Sequence, residues 1–178
     1  MLKTFQVLSR LLDYPSRDVL EALDDATRVV SEEGILTEKE SGYLAQFLRD
    51  VAQPYAEKDD LRSWQAQYSG LFDTSTHENL YLFDFVYGES RDRGQAMVDL
   101  KEAYTKTGLV LGNDELPDYL PVFLEFAALQ PTVNDAYRLL AEVKPVLSVM
   151  EQKFQFRSHP YAPLISLIHS LSQRGATL

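Results

Sequence analysis

Between Gly88 and Gly94 the chain sets Glu89, Ser90, Arg91, Asp92 and Arg93 in succession, and a helix-like run from Gln95 to Leu100 follows. Carboxylates beside guanidinium groups are residue types for acid–base chemistry with an anion clamp, or for a phosphate-binding loop. The phosphate loop matches poorly. Its glycines stand too far apart for backbone N–H groups to converge, and no strand precedes them. Glu89 or Asp92 as acid or base, with Arg91 or Arg93 as clamp, leaves a small enzyme acting on a phosphate ester as an alternative, although nothing else in the sequence completes such a site. The same residues also describe a helix start, with Ser90 as N-cap and Asp92 in a first turn favoured by the dipole. Two arginines at that end oppose the dipole, so something else must favour them. Carboxylates elsewhere in the chain are one source.

A second stretch, Glu115–Leu129, holds Asp118 and Glu125 in otherwise apolar surroundings. Seven residues is close to two helical turns, so the spacing predicts both acids on one face. Either this is a core helix whose acids find arginines elsewhere, or it lines an apolar groove. In the groove reading Tyr119, Val122 and Phe126 form the floor, and the carboxylates suit an amphipathic peptide bearing Lys or Arg. Metal chemistry has little support. The chain has no cysteine, and His77, His159 and His169 have no ligand-spaced partner on one helix. Nor is there a G-x-S-x-G nucleophile elbow.

The elements that must position these residues read as helices throughout. Phe5, Leu8, Leu11 and Leu12 make one apolar face, ended by Tyr14-Pro15. Ser16 caps a second helix that Gly34 closes, and Thr37 and Glu40 have capping-box spacing for a third that stops before Pro54. Leu61, Trp64, Tyr68, Leu71 and Phe72 give a fourth stripe. Further helices are expected over 92–107, 117–129, 133–156 and 162–173, with Pro117 in a first turn and Pro121 and Pro145 kinking or dividing theirs. No stretch alternates convincingly as a strand; "LYLFDFVY" is the one candidate, and a lone strand has nothing to pair with. The 178 residues therefore predict an all-α fold, one domain of about eight or nine helices spanning 1–178, with a frayed tail over about 174–178.

Charge narrows the partners. The formal net charge of −10 is unevenly spread, because residues 153–178 carry Lys153, Arg157 and Arg174 and no acid, which leaves −13 on the first 152. Such a body repels nucleic acid and attracts basic peptides. No apolar run approaches membrane-span length, and the interrupted N-terminal run is no secretory signal, so a cytoplasmic protein is expected.

"QAQYSGLFD", "LYLFDFVYGESRDRGQAMVDL" and "ELPDYLPVFLEF", together with the opening "SRLLDYP", resemble the NarJ-type chaperones. These are the delta chains of respiratory nitrate reductase, within the redox-enzyme maturation proteins that include the TorD-like chaperones. The likeness runs through most of the chain and is strongest from Gln65 to Phe126. It implies an all-helical TorD/NarJ-like bundle without catalytic activity. It also implies a cytoplasmic protein that binds the N-terminal peptide of a molybdoenzyme catalytic subunit, most simply that of nitrate reductase. Such a chaperone keeps the client competent for insertion of bis-molybdopterin guanine dinucleotide and delays its docking on the membrane subunit, holding no cofactor stably itself. A related dehydrogenase or reductase is the alternative client. Asp118, Glu125, Tyr119, Val122 and Phe126 would then meet the peptide, with Tyr87, Glu89, Arg91, Asp92 and Arg93 at its rim, in a monomer or homodimer. Tyr87 and Tyr119 stand where the family pattern often carries histidine, so a titrating role near neutrality is lost at both.

Overall fold

The computed structural model describes residues 1–74, 78–87 and 90–178. Among them the chain is helical, with no strand beyond a single antiparallel bridge between Tyr81 and Tyr119. The order is α1 (Lys3–Leu12), α2 (Arg17–Glu21), α3 (Leu23–Glu33), α4 (Glu38–Phe47), a π turn (Leu48–Ala52), α5 (Gln53–Glu57) and α6 (Leu61–Phe72). A 3-10 turn (Leu82–Phe85), α7 (Asp92–Lys106), α8 (Leu120–Ala128), α9 (Val133–Glu142), α10 (Lys144–Phe156) and α11 (Ala162–Gly175) complete it. The "LYLFDFVY" segment is thus mostly a 3-10 turn, and only Tyr81 pairs as a strand residue would.

Local chemistry sets most boundaries. Ser16 Oγ accepts from Val19 N and starts α2, while Gly34 closes α3 in the left-handed region at φ 67°. Thr37 and Glu40 form the reciprocal capping box of α4. Pro54 does not stop that helix as expected. It sits in the first turn of α5, directly after the π turn, whose wider winding accommodates a residue that cannot donate to the ladder. Pro145 divides the expected 133–156 helix at Val143 and opens α10.

Two packing units carry the core. In one, α1 lies along α8, placing Phe5, Leu8 and Leu12 against a helix whose Leu120, Leu124, Ala127 and Ala128 are fully buried. In the other, α11 packs on α9, α10 and α4 and buries Leu164, Ile168 and Leu171. Each leucine, isoleucine or phenylalanine among them contributes about 1.5–3 kcal/mol when withdrawn from water. A buried polar contact closes the second unit. Glu40, 1% exposed, accepts from Thr37 N, Thr37 Oγ1 and Ser170 Oγ, and pairs with Arg174. Arg174 also donates to Ile35 O and Tyr137 Oη, so it and Gly175 belong to α11 rather than to the expected frayed tail.

Candidate functional site

The two stretches singled out in the sequence meet where the chain crosses from Leu80 to Phe85 and again from Asp118 to Leu120. Leu82 N donates to Asp118 O at 2.9 Å and Leu120 N to Leu80 O at 2.8 Å, which makes the Tyr81–Tyr119 bridge. Phe83 N donates to Asp118 Oδ2 at 3.0 Å. Asp118 is therefore not on the acid stripe of a helix. Helix α8 begins two residues later, at Leu120, with Pro121 rather than Pro117 in its first turn, and Asp118 is 0% exposed beneath the turn it anchors. Burial raises its pKa, against the nearby charge of Arg93. Its Oδ1 has no hydrogen-bond partner.

Arg93 reaches across to Asp84 at 2.6 Å, so one arginine of the "ESRDR" cluster holds the chain's own carboxylate. Asp92 opens α7, Ser90 Oγ accepts from Asp92 N at 3.2 Å, and Arg91 occupies the N-cap position one residue after the expected Ser90. Arg91 and Asp92 are exposed. Tyr87 is half-buried, its ring edge-on to Phe83 at 5.2 Å, and its amide donates to Phe83 O at 2.9 Å. Glu89, with Gly88, lies outside the described residues, as does His77.

Among the groove-floor residues, Val122 and Phe126 are 5% and 7% exposed, Phe126 packing on Tyr104 with ring centres 4.8 Å apart. They face the core in this conformation. Glu125 is half-buried on α8. Tyr119 alone reaches a mixed surface. Its Oη lies 2.8 Å from Tyr68 Oη and donates toward Asp13 Oδ1 at 3.2 Å, while Tyr68 donates to Leu12 O. The Tyr119 ring packs on Tyr81 at 5.2 Å, and Tyr14, half-exposed, packs edge-on to Tyr68 at 5.7 Å.

This tyrosine face is acidic. Burial, with Asp118, Asp84, Asp73 and Asp13 in falling order, raises the pKa of the Tyr81 hydroxyl, although Asp118 is itself buried and Asp84 is paired with Arg93. Burial likewise raises Tyr68 and Tyr119, which stay protonated donors at any physiological pH. The arrangement offers flat aromatic rings and fixed phenol groups, with Asp13 hydrogen-bonded to the Tyr119 hydroxyl and Asp73 exposed. Asp13, Tyr14, Asp73 and Tyr81 were not among the expected site residues. Among the described residues no group of three or more metal-ligating side chains converges, and no helix is long and apolar enough to cross a membrane.

Comparison with known proteins agrees over most of the length. The family model "Nitrate reductase delta subunit" matches residues 36–166. The chain is 39% identical over 166 residues to the nitrate reductase molybdenum cofactor assembly chaperone NarJ of Escherichia coli K12, covering 93% of this chain and 68% of that one. It is 27% identical over 165 residues to the nitrate reductase-like protein NarX of Mycobacterium tuberculosis H37Rv, covering 92% of this chain and 23% of that longer one. A crystal structure from Archaeoglobus fulgidus, described as a redox enzyme maturation protein, superposes with a TM-score of 0.58 at 23% identity, covering 97% of this chain and 91% of the other, a likeness of fold.

Proposed function

This chain belongs to the nitrate reductase delta subunit family, and on that premise we propose that it is an assembly chaperone of a nitrate-reductase-type molybdoenzyme and not an enzyme itself. In this reading it binds the N-terminal peptide of the catalytic subunit in the cytoplasm. It keeps the apoenzyme open for bis-molybdopterin guanine dinucleotide, which is the client's cofactor, and delays docking on the membrane partner. The observation that carries the reading is the tyrosine face itself, where Tyr119 bonds Tyr68 and Asp13 and packs on Tyr81, with Tyr14 packed beside Tyr68. A basic amphipathic helix would lay its apolar side on these rings and its Lys or Arg beside Asp13 and Asp73. Tyr87, Arg91, Asp92 and Glu125 form the rim. Asp118, Val122 and Phe126 act from behind, by holding the tyrosine-bearing segments in place.

Calorimetry with the N-terminal peptide of a client catalytic subunit tests this directly. Replacing half-buried Asp13→Asn together with exposed Asp73→Asn should weaken binding about tenfold, at about 0.7 kcal/mol per charge, with helicity unchanged. Unchanged affinity in that double variant would remove the acidic face from the proposal. A pull-down should then retain the cofactor-free client and not the loaded enzyme. Equal recovery of both forms would instead indicate a permanent subunit.

A further inference from the structure

Helix α7 is joined to the body chiefly at its two ends. Of its fifteen residues only Tyr104 is buried, whereas α11, with fourteen, buries seven. Among the described residues no other helix runs along α7 as α8 runs along α1. One stripe of α7 faces inward, where Arg93, Ala96, Met97, Leu100 and Ala103 are half-buried and Tyr104 completes the series. Leu100 and Ala103 touch only the edge of the core. A helix of this length is marginal in water without packing, and this one carries Gly94 and Val98. The helix therefore keeps its shape through its attachments.

Both attachments end on the segments that carry the tyrosine face. Near its N-terminus Arg93 reaches Asp84 at 2.6 Å, with the two side chains 31% and 33% exposed. Asp84 lies in the 3-10 turn that follows Tyr81. Near its C-terminus Tyr104 Oη donates to Pro117 O at 2.6 Å, and the Tyr104 ring packs on Phe126 at 4.8 Å. Pro117 precedes Asp118, whose carbonyl and carboxylate hold Leu82 and Phe83. The charge of Arg93 also favours the ionised form of Asp118. Arg93 and Tyr104 lie eleven residues apart, which is three turns or about 16 Å along one face. One helix thus ties the 82–85 turn to the 117–120 segment, in addition to the bridge that sets Tyr81 against Tyr119.

This burial is small for a core helix, and both anchors lead to the site. We propose that α7 is a strap for the tyrosine face, with Arg93 and Tyr104 as positioning residues that hold the Tyr81 and Tyr119 segments in one arrangement. In this role neither residue meets the peptide. A basic amphipathic peptide that needs this arrangement binds the chain with α7 attached and, by linkage, stabilises the attachment. That last step rests on the function proposed above, and the positioning does not.

Hydrogen exchange followed by NMR on the isotopically labelled full chain tests both. In the free chain the amides from Ala96 to Lys106 should exchange faster than those of α8 and α11, because α7 opens before the core does. Tyr104→Phe keeps the ring, loses the bond to Pro117 O, and should speed that exchange about fivefold. Arg93→Gln should speed it about threefold. Both variants should shift the ring signals of Tyr81 and Tyr119, which a merely structural helix would leave in place. The client N-terminal peptide, at about one hundred times its dissociation constant, should slow α7 exchange by up to about a hundredfold. Exchange of α7 in step with α8, or tyrosine signals that ignore both substitutions, would overturn the strap. So would a peptide that binds the tyrosine face and leaves α7 exchange unchanged. If the free chain responds as expected and the peptide does not bind, the strap stands and the function proposed above falls.

Discussion

At the residue scale, Asp118 controls the site without touching its surface. Its main-chain carbonyl and one carboxylate oxygen hold Leu82 and Phe83, and so set Tyr81 against Tyr119. Replacing it by Leu should cost about 1–3 kcal/mol, because the Phe83 amide loses its acceptor inside the fold. Asn keeps an acceptor, and its effect should depend on pH. The folded-state pKa of Asp118 is raised, so the native protein binds its proton more tightly than the unfolded chain. Its contribution is then most favourable at or below the unfolded carboxylate value, about 3.9, and declines as pH rises through the higher folded value. Urea unfolding from about pH 4 to 7 should show Asp118→Asn gaining on the unmodified protein across that window. A constant difference would mean that Asp118 stays ionised throughout. That Asp118 and Glu125 do not share a helical face was decidable from Pro121. A helix begun at Pro117 would carry Pro121 in its interior, and the chain avoids this by starting at Leu120. The convergence of residues 13, 73, 81 and 84 was not legible, because no local pattern joins segments so far apart.

At the element scale, helix ends were read well where a side chain caps them and poorly where packing decides. Ser16, Gly34 and the Thr37–Glu40 box stand as expected, since each acts within its own turn. Arg174 and Gly175 looked like tail because their partners, Glu40 and Tyr137, lie far away in sequence. Gly175 shows how close that packing is. A Cβ there would stand 1.9 Å from Tyr137 O, with α9 backbone as the obstacle, whereas Gly42 on α4 has nothing within 4 Å. Gly175→Ala should therefore cost about 1–3 kcal/mol by pushing α11 from α9, and lower Tm by several degrees. Gly42→Ala should raise stability by about 0.5–1 kcal/mol through helix propensity alone. Thermal unfolding of the two variants separates close approach from propensity, and equal shifts would refute the packing role.

At the scale of the whole molecule, charge sets how a partner arrives and apolar surface sets how long it stays. The chain carries −10 overall, and the cations of the "ESRDR" and C-terminal segments are partly engaged by its own acids, Arg93 by Asp84 and Arg157 by Glu78. A net negative field surrounds the tyrosine face, and under the proposed function it would draw a basic peptide from beyond contact distance. That field weakens once the screening length falls from about 30 Å at 0.01 M salt to about 3 Å at 1 M. The buried rings do not feel salt in this way. Stopped-flow measurements with a basic client peptide should then show association slowing by about tenfold or more across that range, while dissociation changes little. If salt acts mainly on dissociation, the carboxylates make close ion pairs in the complex instead of steering its formation. The Asp13→Asn/Asp73→Asn chain distinguishes these outcomes. Its deficit should lie in the association rate under steering, and in the dissociation rate if Asp13 and Asp73 grip the peptide directly.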